Sequence, residues 1–128
     1  MTHRYPVRVY YEDTDMGGIV YHANYLRYIE RARSDWVRQL GIDQNQMRDD
    51  GVVFVVRKID AEYIATAKFE DLLEVETVAS SITGARLVMD QVVWRGEDVI
   101  FRAVVTAVCM NDKGVPVRLP AAIRALSS

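Results

Sequence analysis

The stretch Asn24-Tyr25-Leu26-Arg27-Tyr28-Ile29-Glu30-Arg31-Ala32-Arg33-Ser34-Asp35-Trp36-Val37-Arg38-Gln39-Leu40 decides the fold class. Tyr25, Tyr28, Ile29, Ala32, Trp36 and Leu40 recur at helical spacing and define one apolar face. Arg27, Glu30, Arg31, Ser34 and Arg38 fall between them and make the polar face. At 1.5 Å per residue, these 17 residues predict a helix about 25 Å long, the dominant one in the chain. Asn24 suits its N-cap, and Gly41 suits the left-handed residue just past its end.

Downstream of the helix the period falls to two. After a short second helix predicted around Asp43 to Asp49, the odd positions from Val55 to Tyr63 read Val, Arg, Ile, Ala and Tyr. Lys58, Asp60 and Glu62 alternate with them, as in a half-buried strand. Leu73 to Ile82 is the next strand, turned by Thr83-Gly84. Leu87 to Trp94 and Val99 to Met110 follow, joined at hairpin length by Gly96-Glu97. Val99, Phe101, Ala103, Val105, Ala107 and Cys109 give the last of these an unbroken apolar face. Asn111-Asp112-Lys113-Gly114 makes a turn into a short strand, Val115 to Leu119, and Pro120 opens a terminal helical turn. Upstream, Tyr5 to Tyr11 suits one more strand. Consecutive hairpins exclude the alternating βαβ pattern. The class is α+β, with the long helix laid across one face of a curved antiparallel sheet, in a single domain of residues 1–128.

Composition narrows the function classes. The chain has 128 residues, of which 50% are apolar and 27% charged, as in ordinary globular proteins. A net charge of −2 offers no basic excess for nucleic acid, so no nucleic-acid partner is expected. The single cysteine excludes an internal disulfide and fits a reducing compartment. No stretch approaches the roughly 20 apolar residues that span a bilayer, and Met1 to Pro6 lacks the apolar core of a secretory signal. The expectation is a soluble cytoplasmic protein without membrane insertion.

Several catalytic machineries are missing from the sequence: G-x-S-x-G, the P-loop and G-x-G-x-x-G. His3, His22 and Cys109 are too few and too scattered for a zinc site, so no metal is expected. Cys109 reads as a small buried hydrophobe and His3 as a solvated residue near the terminus. Chemistry is left to carboxylates, hydroxyls and backbone amides. These concentrate in Glu12-Asp13-Thr14-Asp15-Met16-Gly17-Gly18, which leads through Ile19-Val20-Tyr21-His22-Ala23 into the long helix. A helix N-terminus presents unpaired N–H groups and a positive dipole end, which can hold a developing oxyanion. A carboxylate folded back toward it by the glycines can act as nucleophile or as general base. That geometry suits acyl transfer, and an acidic glycine-containing loop is equally ordinary turn chemistry.

The run Tyr11-Glu12-Asp13-Thr14-Asp15-Met16-Gly17-Gly18-Ile19-Val20-Tyr21-His22-Ala23-Asn24-Tyr25, continued by Glu30-Arg31-Ala32-Arg33, resembles the signature of hotdog-fold acyl-CoA thioesterases. The similarity is to the 4-hydroxybenzoyl-CoA thioesterase/YbgC-like group. A second match is Tyr63 to Leu72, where Thr66 stands at a position usually held by proline. The resemblance implies a hotdog fold, a long central helix wrapped by an antiparallel sheet. It also implies hydrolysis of an acyl-CoA thioester to a carboxylic acid and CoA, with no further cofactor. It makes Asp15 the catalytic carboxylate, acting as nucleophile or base, and gives His22 the carbonyl-polarising backbone N–H. Gly18 would permit the turn; Asn24 and Tyr25 would organise the helix start or touch substrate; Arg86 would meet a CoA phosphate. Glu30, a carboxylate on the helix, reads as a solvated or paired surface residue, and Tyr25, Tyr28 and Trp36 read as core. The implied assembly is a homodimer with sites at the interface, two of which make a homotetramer. A non-catalytic acyl-CoA or acyl-carrier-protein binding hotdog protein is the rival, and the intact Asp15 favours the enzyme.

Overall fold

The structure, a computed structural model, describes residues 2–127. Its elements run β1 (Thr2–Arg8), α1 (His22–Gln39), α2 (Gln44–Asp49), β2 (Val52–Tyr63), β3 (Leu72–Ile82), β4 (Arg86–Arg95), β5 (Asp98–Asn111), β6 (Pro116–Val117) and α3 (Ala121–Arg124). The strands form one antiparallel sheet in the order β1-β3-β4-β5-β2, and β6 pairs with β5. Tyr25, Tyr28, Ile29, Ala32 and Trp36 of α1 are buried, as their spacing predicts. They pack on Val75, Met89, Val93, Phe101 and Val105 in one continuous core. Each such side chain contributes ~1.5–3 kcal/mol by leaving water. Gly41 ends the helix with φ at +86°, a conformation that costs glycine nothing. Cys109 is buried in this core, and burial pushes its thiol up to about 11. This is the expected α+β class, with the helix laid on the sheet.

Four local expectations are corrected. The first strand starts and ends earlier than Tyr5 to Tyr11: it pairs with β3 from Thr2, and Tyr11–Asp13 is a 3-10 turn. The Asp13 carboxylate accepts the Tyr10 N–H at 2.8 Å and pulls the chain out of the sheet there. His3 is buried, not solvated, and its Nε2 lies 2.7 Å from Asp35 Oδ2 on α1. The helix begins at His22 with Tyr21 as its N-cap, so Asn24 is inside the first turn. Finally, β2 carries a bulge between Val56 and Lys58. Phe54 and Val56 therefore share a face with Ile59, Ala61 and Tyr63, while Val55 turns to the other side.

Helix α1 lies across β1 and β3. It leaves the core-side face of β2 open, where Val56 (42%), Ile59 (36%) and Tyr63 (47%) remain exposed. These residues oppose the buried Ala107, Val105 and Phe101 of β5. Among the described residues, no helix is long and apolar enough to cross a membrane.

Candidate active site

The segment between β1 and α1 folds back on itself. Thr14 and Val20 form an antiparallel bridge, with Asp15 N donating to Ile19 O at 2.9 Å and Gly18 N to Asp15 O at 3.0 Å. Gly18 sits at φ +77°, where a side chain would strain the turn. Asp15 is exposed, and its Oδ1 accepts the Gly17 N–H at 2.8 Å. That bond fixes the carboxylate and leaves its second oxygen facing solvent. A Cβ on Gly17 would stand 3.3 Å from the same Oδ1, so a larger residue there would disturb the carboxylate.

Two residues past the bridge, α1 begins. The N–H groups of its first turn have no acceptor within the helix. Asn24 N is taken by Tyr21 O at 2.8 Å, whereas His22 N has no partner among the described residues. His22 is exposed, and its carbonyl accepts the Tyr63 hydroxyl at 3.0 Å. Beside it lies a cavity of about 240 Å³, lined with it by Ile19, Val20, Tyr25, Tyr63, Ile64, Ala65 and Thr66. Tyr25 stacks on Phe101 at 5.1 Å and accepts the Ala67 N–H on its hydroxyl at 3.0 Å. Burial raises its phenol above the usual tyrosine range, so it stays neutral.

The three carboxylates of the segment thus separate. Asp13 is buried (4%) and committed: Oδ2 to Tyr10 N, Oδ1 to Asn24 Nδ2 at 2.9 Å, and its carbonyl to Tyr21 N at 2.9 Å. It holds the start of the helix. Asn24 is buried with it and takes the Arg27 guanidinium on Oδ1 at 2.6 Å, which places it in the helix-organising role. Glu12 is exposed, near Arg27 and Arg31. Glu30 lies about 12 Å along the helix from His22 and accepts the Ser34 hydroxyl at 2.6 Å. Asp15 and Gly18 thus lie on the turn that bridges back to Val20, two residues before His22, while His22 and Tyr25 line the cavity. Arg86 lies apart: it opens β4 at the far end of the β3–β4 hairpin, roughly 30 Å of strand from the site in the same chain. Tyr63 and residues 64–67 lie in the second stretch of family resemblance, whereas Arg95 and the bonds from Tyr63 to His22 and from Arg95 to Thr66 were not singled out from sequence, because they join residues far apart in the chain. Among the described residues, no three His, Cys, Asp or Glu side chains converge as a metal ligand set.

A carboxylate with one open oxygen, an unpaired helix N-terminal N–H and an adjoining apolar cavity are the parts that acyl transfer requires. The profile of the thioesterase-like superfamily matches residues 9–126. The acyl-CoA thioester hydrolase YbgC of Escherichia coli O6:H1 is 44% identical over 122 residues, covering 94% of this chain and 91% of its own. The chain belongs to the thioesterase-like superfamily, in its YbgC-like acyl-CoA thioesterase branch. The crystal structure of a probable thioesterase from Bartonella henselae superimposes with a TM-score of 0.89 at 35% identity, covering 94% of this chain and all (100%) of that one. A 4-hydroxybenzoyl-CoA thioesterase variant, complexed with 4-hydroxybenzoyl-CoA, shares the fold with a TM-score of 0.89 at 22% identity, covering 99% of each chain. The YbgC-like architecture is thus the hotdog fold expected from the sequence.

Proposed function

We propose that this chain hydrolyses acyl-CoA thioesters at Asp15. The observation that carries the reading is the Asp15 turn folded against the start of α1, where the His22 N–H is unpaired. The thioester carbonyl oxygen accepts that N–H, and the acyl group lies toward the cavity of Tyr25, Tyr63 and Ile64. Asp15 either attacks the carbonyl carbon to give a mixed anhydride or takes a proton from the attacking water. In both cases the C–S bond breaks and CoA leaves as its thiolate, protonated by solvent; in the first, water then cleaves the anhydride, releasing the carboxylic acid and freeing Asp15. The helix dipole and N–H stabilise the oxyanion, a service of several kcal/mol in comparable sites. Because the peptide nitrogen does this, the imidazole of His22 is free to vary.

The working unit is a homodimer of the 1–128 domain, with two dimers in the tetramer. Its support is the uncovered row Val56, Ile59 and Tyr63 on β2, which runs into the site through Tyr63 and Ile64. A second copy seated there would complete the acyl wall. A role for Arg86 on a CoA phosphate belongs to a neighbouring subunit, given its distance from Asp15 of its own chain. Arg118 packs beside Gly84 of the same hairpin and adds a second positive charge there. The cytoplasm is the proposed compartment, where a lone buried thiol stays reduced.

The test is release of free CoA thiol from a panel of aromatic, short-chain and long-chain acyl-CoAs. The wild type turns over at least one of them, and Asp15→Asn lowers kcat by about 100-fold or more while the protein stays folded. Hydrolysis by Asp15→Asn at the wild-type rate would sink the mechanism.

A further inference from the structure

Residues 63–66 line the cavity beside the start of α1, and one arginine holds the backbone of that segment. Arg95, the last residue of β4, donates through Nη1 to Thr66 O at 2.7 Å and to Asp71 Oδ2 at 3.2 Å. The same Asp71 oxygen accepts the Lys68 N–H at 3.0 Å, and Asp71 N returns to Lys68 O at 3.0 Å. Inside this turn Glu70 has φ +76°, the one non-glycine residue in the left-handed region among the described residues. A side chain in that region is strained and persists where its surroundings hold it.

The clamped segment touches both halves of the site. Ala67 donates its N–H to the Tyr25 hydroxyl and accepts Val20 N at 2.8 Å, two residues before His22. Lys68 bridges Ile19, whose carbonyl takes Asp15 N. Asp15 lies on the Thr14–Val20 turn and His22 opens α1, and Lys68 and Ala67 contact the chain between them at Ile19 and Val20, so a shift of residues 64–71 changes their spacing.

We propose that Arg95 is a positioning residue for thioester hydrolysis: by locking residues 64–71 it sets the spacing of the Asp15 carboxylate and the His22 N–H. Arg95 contacts only the back of the wall through Thr66 O and Asp71, and it need not meet the substrate. The inference rests on the hydrolysis proposed above.

Both clamp bonds leave one nitrogen, so a lysine ammonium can replace them, whereas alanine loses both. With an acyl-CoA that the wild type hydrolyses, Arg95→Ala lowers kcat about tenfold with little change in KM, because the geometry of attack is lost rather than ground-state binding. Arg95→Lys returns kcat to within about threefold of wild type. Rates are taken per folded molecule, with the folded fraction read from circular dichroism. A purely architectural arginine would lower the melting temperature and leave kcat per folded molecule unchanged. That result, or a lysine variant no better than alanine, would overturn the inference. If Arg95→Ala does not fold, Asp71→Asn is read in its place: it keeps the bond to Thr66 O and removes the ion pair. A loss of about threefold in kcat supports the clamp, and wild-type kcat overturns it. Absence of turnover by the wild type overturns the proposed reaction and this inference with it. Turnover by the wild type matched by Arg95→Ala overturns the inference alone.

Discussion

The two edges of the sheet are built from the same kind of residues and finished in opposite ways. Edge strand β1 is short, Thr2–Arg8, and lies under α1, with His3 buried against Asp35 of the helix. Its solvent side carries Arg4, bonded to Glu74 at 2.6 Å and Glu76 at 2.8 Å, and Pro6 removes one N–H from the strand. Helix cover, charge and proline are the ordinary ways to blunt an edge. Edge strand β2 has neither charge nor proline along its apolar row, and the short α2 is the helix that packs against it. The strand spans Val52–Tyr63, and α1 meets it at its last residue, where Tyr63 touches Tyr25 and the His22 carbonyl. Val56, Ile59 and Tyr63 stay exposed on the face that elsewhere in the sheet is core. One edge is complete within the chain; the other has the composition of an interface. The open row also runs to the proposed site, since Tyr63 ends it and donates to the carbonyl of His22.

The largest expected effect breaks the open edge. Ile59→Arg places a charge in the middle of the apolar row, opposite Val105, without entering the packed core. Burying an unpaired charge in an interface costs several kcal/mol, enough to abolish association at ordinary concentrations. We expect light scattering to show a monomer and thioester hydrolysis to fall by about 100-fold, because the wall near Tyr63 and Ile64 loses its cover. A monomeric Ile59→Arg variant with full activity would mean that each chain carries a whole site, and the contrast between the edges would lose its functional meaning.

How much of this was legible in the sequence follows the reach of each interaction. The face of α1 could be read because Tyr25, Tyr28, Ile29, Ala32 and Trp36 repeat within one element, and β5 likewise from Phe101 to Cys109. The separation of Asp15 from Asp13 came from the motif spacing, and the structure adds its cause: Asp13 is spent on Tyr10, Tyr21 and Asn24. That commitment is also why Asn24 could not be placed as a cap. Its amide N–H donates to a carboxylate eleven residues earlier, and its oxygen accepts from Arg27. The phase of β2 was misread because the bulge after Val56 inserts a residue that strict alternation has no means to signal. His3 and Arg95 were missed for one reason: their partners lie 32, 29 and 24 residues away, and only the sheet topology brings them together.

The closed edge offers the middle of the scale. His3 packs between β1 and α1, and its bond to Asp35 is shared with Gln39 Nε2 on the same oxygen. A hydrogen bond to a charged group contributes about 1.5–3 kcal/mol, so His3→Ala should lower stability by about 2 kcal/mol in urea unfolding at fixed protein concentration. Rate per folded molecule should not move, since the lock sits on the far side of α1 from the Asp15 turn. A loss of activity with stability intact would show that the closed edge also tunes the site.

The smallest effect expected is at Arg4, and it sharpens the comparison because Arg4 holds the most conspicuous ion pairs on the molecule. Its guanidinium spans Glu74 and Glu76, and the bond to Glu74 raises its already high pKa. The side chain is nevertheless 54% exposed, as is much of Glu74 at 46%. Pairs in that setting exchange good solvation for a screened attraction and lose side-chain freedom in doing so. Arg4→Gln should therefore shift the melting temperature by less than about 1 °C, and moderate salt should erase even that. Its value to the fold is then of another kind: with Glu74 and Glu76 it keeps the outer side of β1 charged, which would steer a second copy to the proposed β2 interface. If Arg4→Gln left stability unchanged yet produced higher oligomers in light scattering, the charge on this edge would be there to forbid an interface, the counterpart of the apolar row proposed to form one on β2.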